Sequence, residues 1–249
     1  MYMIKRIVVV LMLATIVVAQ SIEPPLSDTR LTVHTLVRED IFAGFLADDM
    51  EQFARAEKNI EILLEKRPDQ KANLLAWKGG ATLYRAVRAY ENKNNDEFQQ
   101  KYKQALALFQ EAGSYKSGND AVHAVTGGSF AVFGDRLPKE YQTAAWQEAY
   151  THYQALYKQQ AQVLDRLPVH FRGEVLGGLA QASQRTGRTE EIDQYLDRIL
   201  TALKDTPYES VAKKWKANPK AAQSLSITCL NCHEGGRLGA RLNALNSNK

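Results

Sequence analysis

Leu74-Leu75-Ala76-Trp77-Lys78-Gly79-Gly80-Ala81-Thr82-Leu83-Tyr84 is an apolar helical stretch broken at its centre by two glycines. Leu74, Leu75, Leu83, Ala86, Val87 and Tyr90 fall on one face at helical spacing, so the segment reads as a helix running to about Asn92. Glycine costs a helix roughly 1 kcal/mol relative to alanine, so a central pair needs a reason. The same pair returns at Gly127-Gly128 and Gly177-Gly178, at intervals of 48 and 50 residues. Trp77, Val125 and Val175 each stand two residues before a pair, and each marked helix is followed by a turn and a longer amphipathic helix. A near-regular period of this size predicts an all-α chain built as an α-solenoid of helix hairpins. Missing side chains on the marked helices let a neighbouring helix approach closely; a groove for a flat ligand or extended peptide is the sharper reading.

Outward from this stretch the pattern stays helical. Phe42, Phe45, Leu46, Phe53, Ile60, Leu63 and Leu64 predict one helical run from Arg38 to Arg67, stopped by Pro68. Asp69 is the expected cap of the glycine-marked helix. Phe98 to Phe109, Val122 to Phe133, Tyr141 to Leu164, Val175 to Ser183 and Ile192 to Leu203 carry further helices, with a short one through Val211 to Trp215. Gly113 to Asn119 reads as a polar loop. Leu31 to Leu36 is too short to assign to strand or helix, and Ser21 to Arg30, with Pro24-Pro25, reads as a mobile lead-in.

The N-terminus has the form of an export signal. Lys5 and Arg6 precede an apolar run from Ile7 to Ala19 interrupted only by Thr15. Thirteen residues are short of the roughly twenty a bilayer-spanning helix needs, so cleavage before Gln20 is expected, an uncleaved anchor being the alternative. The resulting division is residues 1–19 as signal, 20–37 as lead-in, 38–218 as the helical-repeat domain and 219–249 as an irregular tail. Cleavage removes Lys5 and Arg6 and lowers the formal charge from +4 to +2, which offers nothing to nucleic acid.

The tail holds the only two cysteines, in Thr228-Cys229-Leu230-Asn231-Cys232-His233. C-x-x-C-H is the attachment pattern of c-type haem. Two thiols three apart span the two vinyl groups of a porphyrin edge, and the adjacent imidazole lies under the iron as proximal ligand. A disulfide or reactive thiol pair and a zinc clip compete. A thioredoxin-type motif belongs near a βαβ pattern, which is absent here, and structural zinc needs four ligands where three are local. Export strengthens the haem reading, because bacterial haem c is attached outside the cytoplasmic membrane. The expectations are therefore a periplasmic or otherwise extracytoplasmic protein with one haem c: Cys229 and Cys232 as covalent anchors and His233 as proximal iron ligand.

The iron's second face is less legible. After signal removal the one methionine is Met50, and neither methionine nor histidine follows His233. The candidates are His34, His123, His152, His170, Met50, or an open position. His123 and His170 are preferred because each lies on or near a glycine-marked helix. Arg237 and Arg241 are candidate partners of haem propionates. No catalytic set stands out, so the chain reads as an electron-transfer module or docking platform for a redox partner. The alternatives are a non-haem interaction scaffold with a C-terminal metal or thiol clip, and a five-coordinate haem enzyme or sensor. Membrane contact is expected only through an uncleaved signal segment.

The repeat unit resembles the tetratricopeptide repeat at Leu176, Leu179, Ala180, Gly187 and the helix Glu190 to Leu203. It departs from that repeat in its longer period and in Ile192, where an alanine is expected. The mature chain is also similar to a group of exported bacterial helical-repeat proteins ending in C-x-x-C-H. The stretches that carry this are Leu75 to Gly80, Asp135-Arg136-Leu137-Pro138, Gln184-Arg185-Thr186-Gly187-Arg188 and Thr228 to Leu238. The resemblance implies fold, export and haem attachment, and implies no reaction.

Overall fold

The computed structural model describes residues 22–115, 119–219 and 236–247. Among them every regular element is helical: α1 (Val33–Ala47), α2 (Met50–Lys66), α3 (Lys71–Glu91), α4 (Asn95–Ser114), α5 (Asn119–Phe133), α6 (Lys139–Gln160), α7 (Val169–Arg185), α8 (Thr189–Ala202), α9 (Pro207–Ala217) and α10 (Arg237–Ser247). Consecutive helices pack as pairs, α1 on α2, α3 on α4, α5 on α6 and α7 on α8. The glycine-marked α3, α5 and α7 touch in succession.

The paired glycines are close-approach points. A Cβ on Gly79 would stand 2.7 Å from the Phe109 ring of α4. On Gly178 it would overlap the ring of Tyr153, which α6 lays against α7. Interiors packed to crystal density cannot absorb such overlap without backbone movement.

Three details differ from the sequence reading. The run from Arg38 to Arg67 is two helices rather than one. Asp48 takes the left-handed conformation (φ 55°) and ends α1, and Asp49 caps α2 by accepting from the Gln52 amide at 3.0 Å. Asp69 caps nothing, because Pro68–Gln70 form a 3₁₀ turn and α3 starts at Lys71 without a side-chain cap. The lead-in is held. The Arg67 guanidinium donates to the carbonyls of Leu31 (2.7 Å), Leu26 (3.0 Å) and Asp28 (2.8 Å), and Leu31 is buried.

The tail is regular over α10, which packs on α1. Glu39 of α1 receives its N-terminus: the Gly236 and Leu238 amides donate to the two carboxylate oxygens at 2.7 and 2.9 Å. The first amides of a helix lack internal partners, and the helix dipole favours negative charge there.

The stretches Asp135 to Pro138 and Gln184 to Arg188 meet in space. Arg185 forks onto Asp135 (Nη2 to Oδ2, 2.9 Å) and lies over the Trp146 ring, whose Nε1–H donates to Asp135 at 2.7 Å. Arg136 turns instead to Glu91. These motif residues tie α5, α6 and α7 together.

Candidate functional site

α1, α3, α5, α6 and α7 enclose a cavity of about 450 Å³. Phe42 and Phe45 of α1, Trp77 of α3, Ala124 and Val125 of α5 and Leu156 of α6 form its apolar walls. Gly128 lines it as well, so one marked glycine serves the cavity while Gly79 and Gly178 serve packing. Polar groups converge from α1 (His34, Arg38) and α7 (His170, Glu174). An apolar concavity with few polar groups, in the range of roughly 300–1,000 Å³, is the usual form of a cofactor or small-ligand site.

His34 and His170 stand 136 positions apart in sequence and share this cavity. His34 packs on Trp77 with ring centroids 5.1 Å apart, and its Nε2 accepts from the Arg38 guanidinium at 3.3 Å. Burial first, then the charges of Arg38 and His170, holds His34 neutral, with its pKa lowered to about 3. His170 lies in the first turn of α7 with Nδ1 3.3 Å from the Tyr208 hydroxyl of α9. Burial, then the charges of Arg237 and Arg38, lowers its pKa too. Arg241, one turn beyond Arg237 on α10, is exposed.

His123 faces elsewhere. Its Nδ1 meets Nδ1 of His152 at 2.9 Å across α5 and α6, and neither ring belongs to the cavity wall. One nitrogen donates and the other accepts, so the bond requires at least one neutral ring and is lost when both are protonated. Burial, then His123, lowers the His152 pKa to about 4, and burial lowers that of His123. Unfolding restores both toward the ordinary value near 6.5, so the unfolded chain binds more protons below that pH. Stability is therefore complete above pH 6.5 and falls as pH drops toward 4, by about 3 kcal/mol at pH 4 for His152 alone. Urea melts at pH 7.5 and 4.5 check this against a His152→Gln variant, whose midpoint should shift less between the two. Equal shifts would refute it.

Cys229, Cys232 and His233 lie outside the described residues. Pro219 sits at the C-terminal end of α7, where Gln184 Nε2 donates to its carbonyl at 3.4 Å, and Gly236 sits on Glu39 of α1.

The residues present suit a porphyrin. Apolar walls would match its faces and neutral imidazoles are iron ligands; of the charged groups on the wall, Arg38 would favour the group's carboxylates, and Asp120 and Glu174 would oppose them. Among the described residues no cluster of three or more His, Cys, Asp or Glu side chains forms a metal site, and no helix is long and apolar enough to cross a membrane. The sequence singled out His170, and its signal was the marked helix. It gave His34 no preference and held no sign of Glu39 or of the cavity. Comparisons with family models, with curated proteins and with solved structures found no match to this chain.

Proposed function

We propose that this chain is an exported helical-repeat protein, tetratricopeptide-like in architecture, that carries one covalent haem c and acts as an electron-transfer module. Cys229 and Cys232 anchor the porphyrin, each thiol adding across one vinyl double bond, sulfur to one carbon and hydrogen to the other. His233 ligates the iron. The haem supplies a one-electron couple, exchanged with a separate one-electron redox protein. The chain's own residues exclude water from the porphyrin faces through Phe42, Trp77 and Leu156, and burial of this kind tunes the potential.

One observation carries this reading. The helix that starts four residues after His233 is fixed through its N-terminal amides on Glu39 of α1, the helix that also supplies His34 to the cavity. The N-terminal signal supports export, where haem c attachment occurs. A pyridine haemochrome spectrum of protein made with a haem-maturation system is the test. The expected result is one haem per chain that survives acid-acetone extraction. A colourless, folded product would overturn the proposal and leave the interaction scaffold.

A further inference from the structure

We infer that His123 and His152 form a binding site for a divalent transition-metal ion, Cu²⁺ above all, with water completing its coordination. The site owes nothing to the haem reading.

The pairing begins with a missing side chain. Gly127 follows His123 by four residues, so the two share a face of α5. A Cβ on Gly127 would stand 3.2 Å from Cβ of His152 and 3.6 Å from the Ala149 carbonyl oxygen. The bare backbone lets α6 lie close at this turn, and His152 then meets His123. Nδ1 faces Nδ1 at 2.9 Å, with ring centroids 5.0 Å apart and planes at 54°.

Two nitrogens at this separation fit a shared ion. Metal–nitrogen bonds of about 2.0–2.1 Å set cis ligands of a tetragonal ion roughly 2.9 Å apart, and those of a tetrahedral ion roughly 3.3 Å apart. A pivot of each ring about its Cβ–Cγ bond turns the two Nδ1 positions from each other toward the ion. Tetragonal nitrogen coordination is characteristic of Cu²⁺, which also heads the affinity order for such ligands.

The surroundings suit a cation. Nε2 of His152 lies 3.9 Å from the Glu148 carboxylate, one turn earlier on α6. Negative charge there favours Nε2–H, so His152 presents its Nδ1 lone pair and His123 donates Nδ1–H. When the ion enters, the His123 proton passes to its own Nε2, no proton is released, and both Nδ1 lone pairs bind metal. Asp120 stands one turn before His123 on α5 and adds a second carboxylate. The His152 side chain keeps 16% exposure, so the ion has access from solvent. Two protein ligands leave the shell open, so the ion exchanges, and while bound it staples α5 to α6.

Copper titration of the untagged full-length chain tests the site, in a Cys229→Ser, Cys232→Ser background so that thiols neither bind nor reduce the ion. Electron paramagnetic resonance should show hyperfine splitting from two imidazole nitrogens, and the thermal midpoint should rise. His123→Gln and His152→Gln should each lose the two-nitrogen signal and bind Cu²⁺ more than about tenfold more weakly, a loss that even outer-shell changes produce at metal sites. His34→Gln and His170→Gln should change neither. A signal with fewer than two nitrogens, or a two-nitrogen signal persisting in both His123→Gln and His152→Gln, would overturn the site. Should those two variants fail to fold, the nitrogen count in the unsubstituted pair decides. Should the serine background fail to fold, Zn²⁺ titration of the parent against His152→Gln decides, and equal affinity would overturn the site.

Discussion

A Cys229→Ser, Cys232→Ser variant is expected to lose all covalent haem absorbance while its far-ultraviolet circular dichroism and thermal midpoint without haem stay at parental values. The packing of the described residues involves neither cysteine. The buried set runs continuously from Leu31 through Trp215, with Leu238 joining from α10, and Glu39 receives that helix through main-chain amides. None of these contacts needs a thiol. Single Cys→Ser variants should retain haem through one thioether in reduced yield. A double variant that still carries extraction-resistant haem, or that unfolds without haem, would contradict this expectation.

Replacing Arg55 by methionine should destabilise the protein by about 3–5 kcal/mol. Asp40 of α1 is 4% exposed, and Arg55 of α2 forks onto it, Nε to Oδ2 at 2.7 Å and Nη2 to Oδ1 at 2.6 Å. Burial raises the Asp40 pKa despite Arg55, so desolvation already outweighs the pairing. Removing the guanidinium leaves that carboxylate buried without its fork. The cost comes from the orphaned charge more than from a lost attraction, so an Asp40→Leu, Arg55→Met double variant should recover most of it. Chemical denaturation of the three proteins measures the difference. Double-variant stability no higher than that of Arg55→Met would refute this account.

The helices were legible because apolar residues recur at three and four throughout, and nine of the ten among the described residues lie in or beside stretches with that spacing, α10 being the exception. Phe42, Phe45, Leu46 and Phe53 hid the α1–α2 boundary, since their spacing runs across it. The signal was Asp48-Asp49, which looks like a solvated acidic pair. Its two residues have separate roles, one adopting φ 55° and the other capping α2. The cavity left no local trace, because residues from five helices compose it and each reads in its own helix as ordinary core. His170 was reached through its neighbouring glycines, yet those glycines act mainly in packing. What distinguishes His170 from His123 is the partner of Nδ1, a tyrosine hydroxyl for one and a second imidazole for the other, and helical periodicity carries no such information.

The clasp of Glu39 on the start of α10 joins positions 197 apart, among the most distant pairings in the molecule. Closing so long a loop costs more chain entropy than the contacts between consecutive helices do. A second consequence is geographic. Ile22 lies against Gly239, so the first described residue sits beside α10, and a permuted gene that runs from α10 through a short linker into Ile22 and opens the chain between α8 and α9 should yield the same tertiary structure.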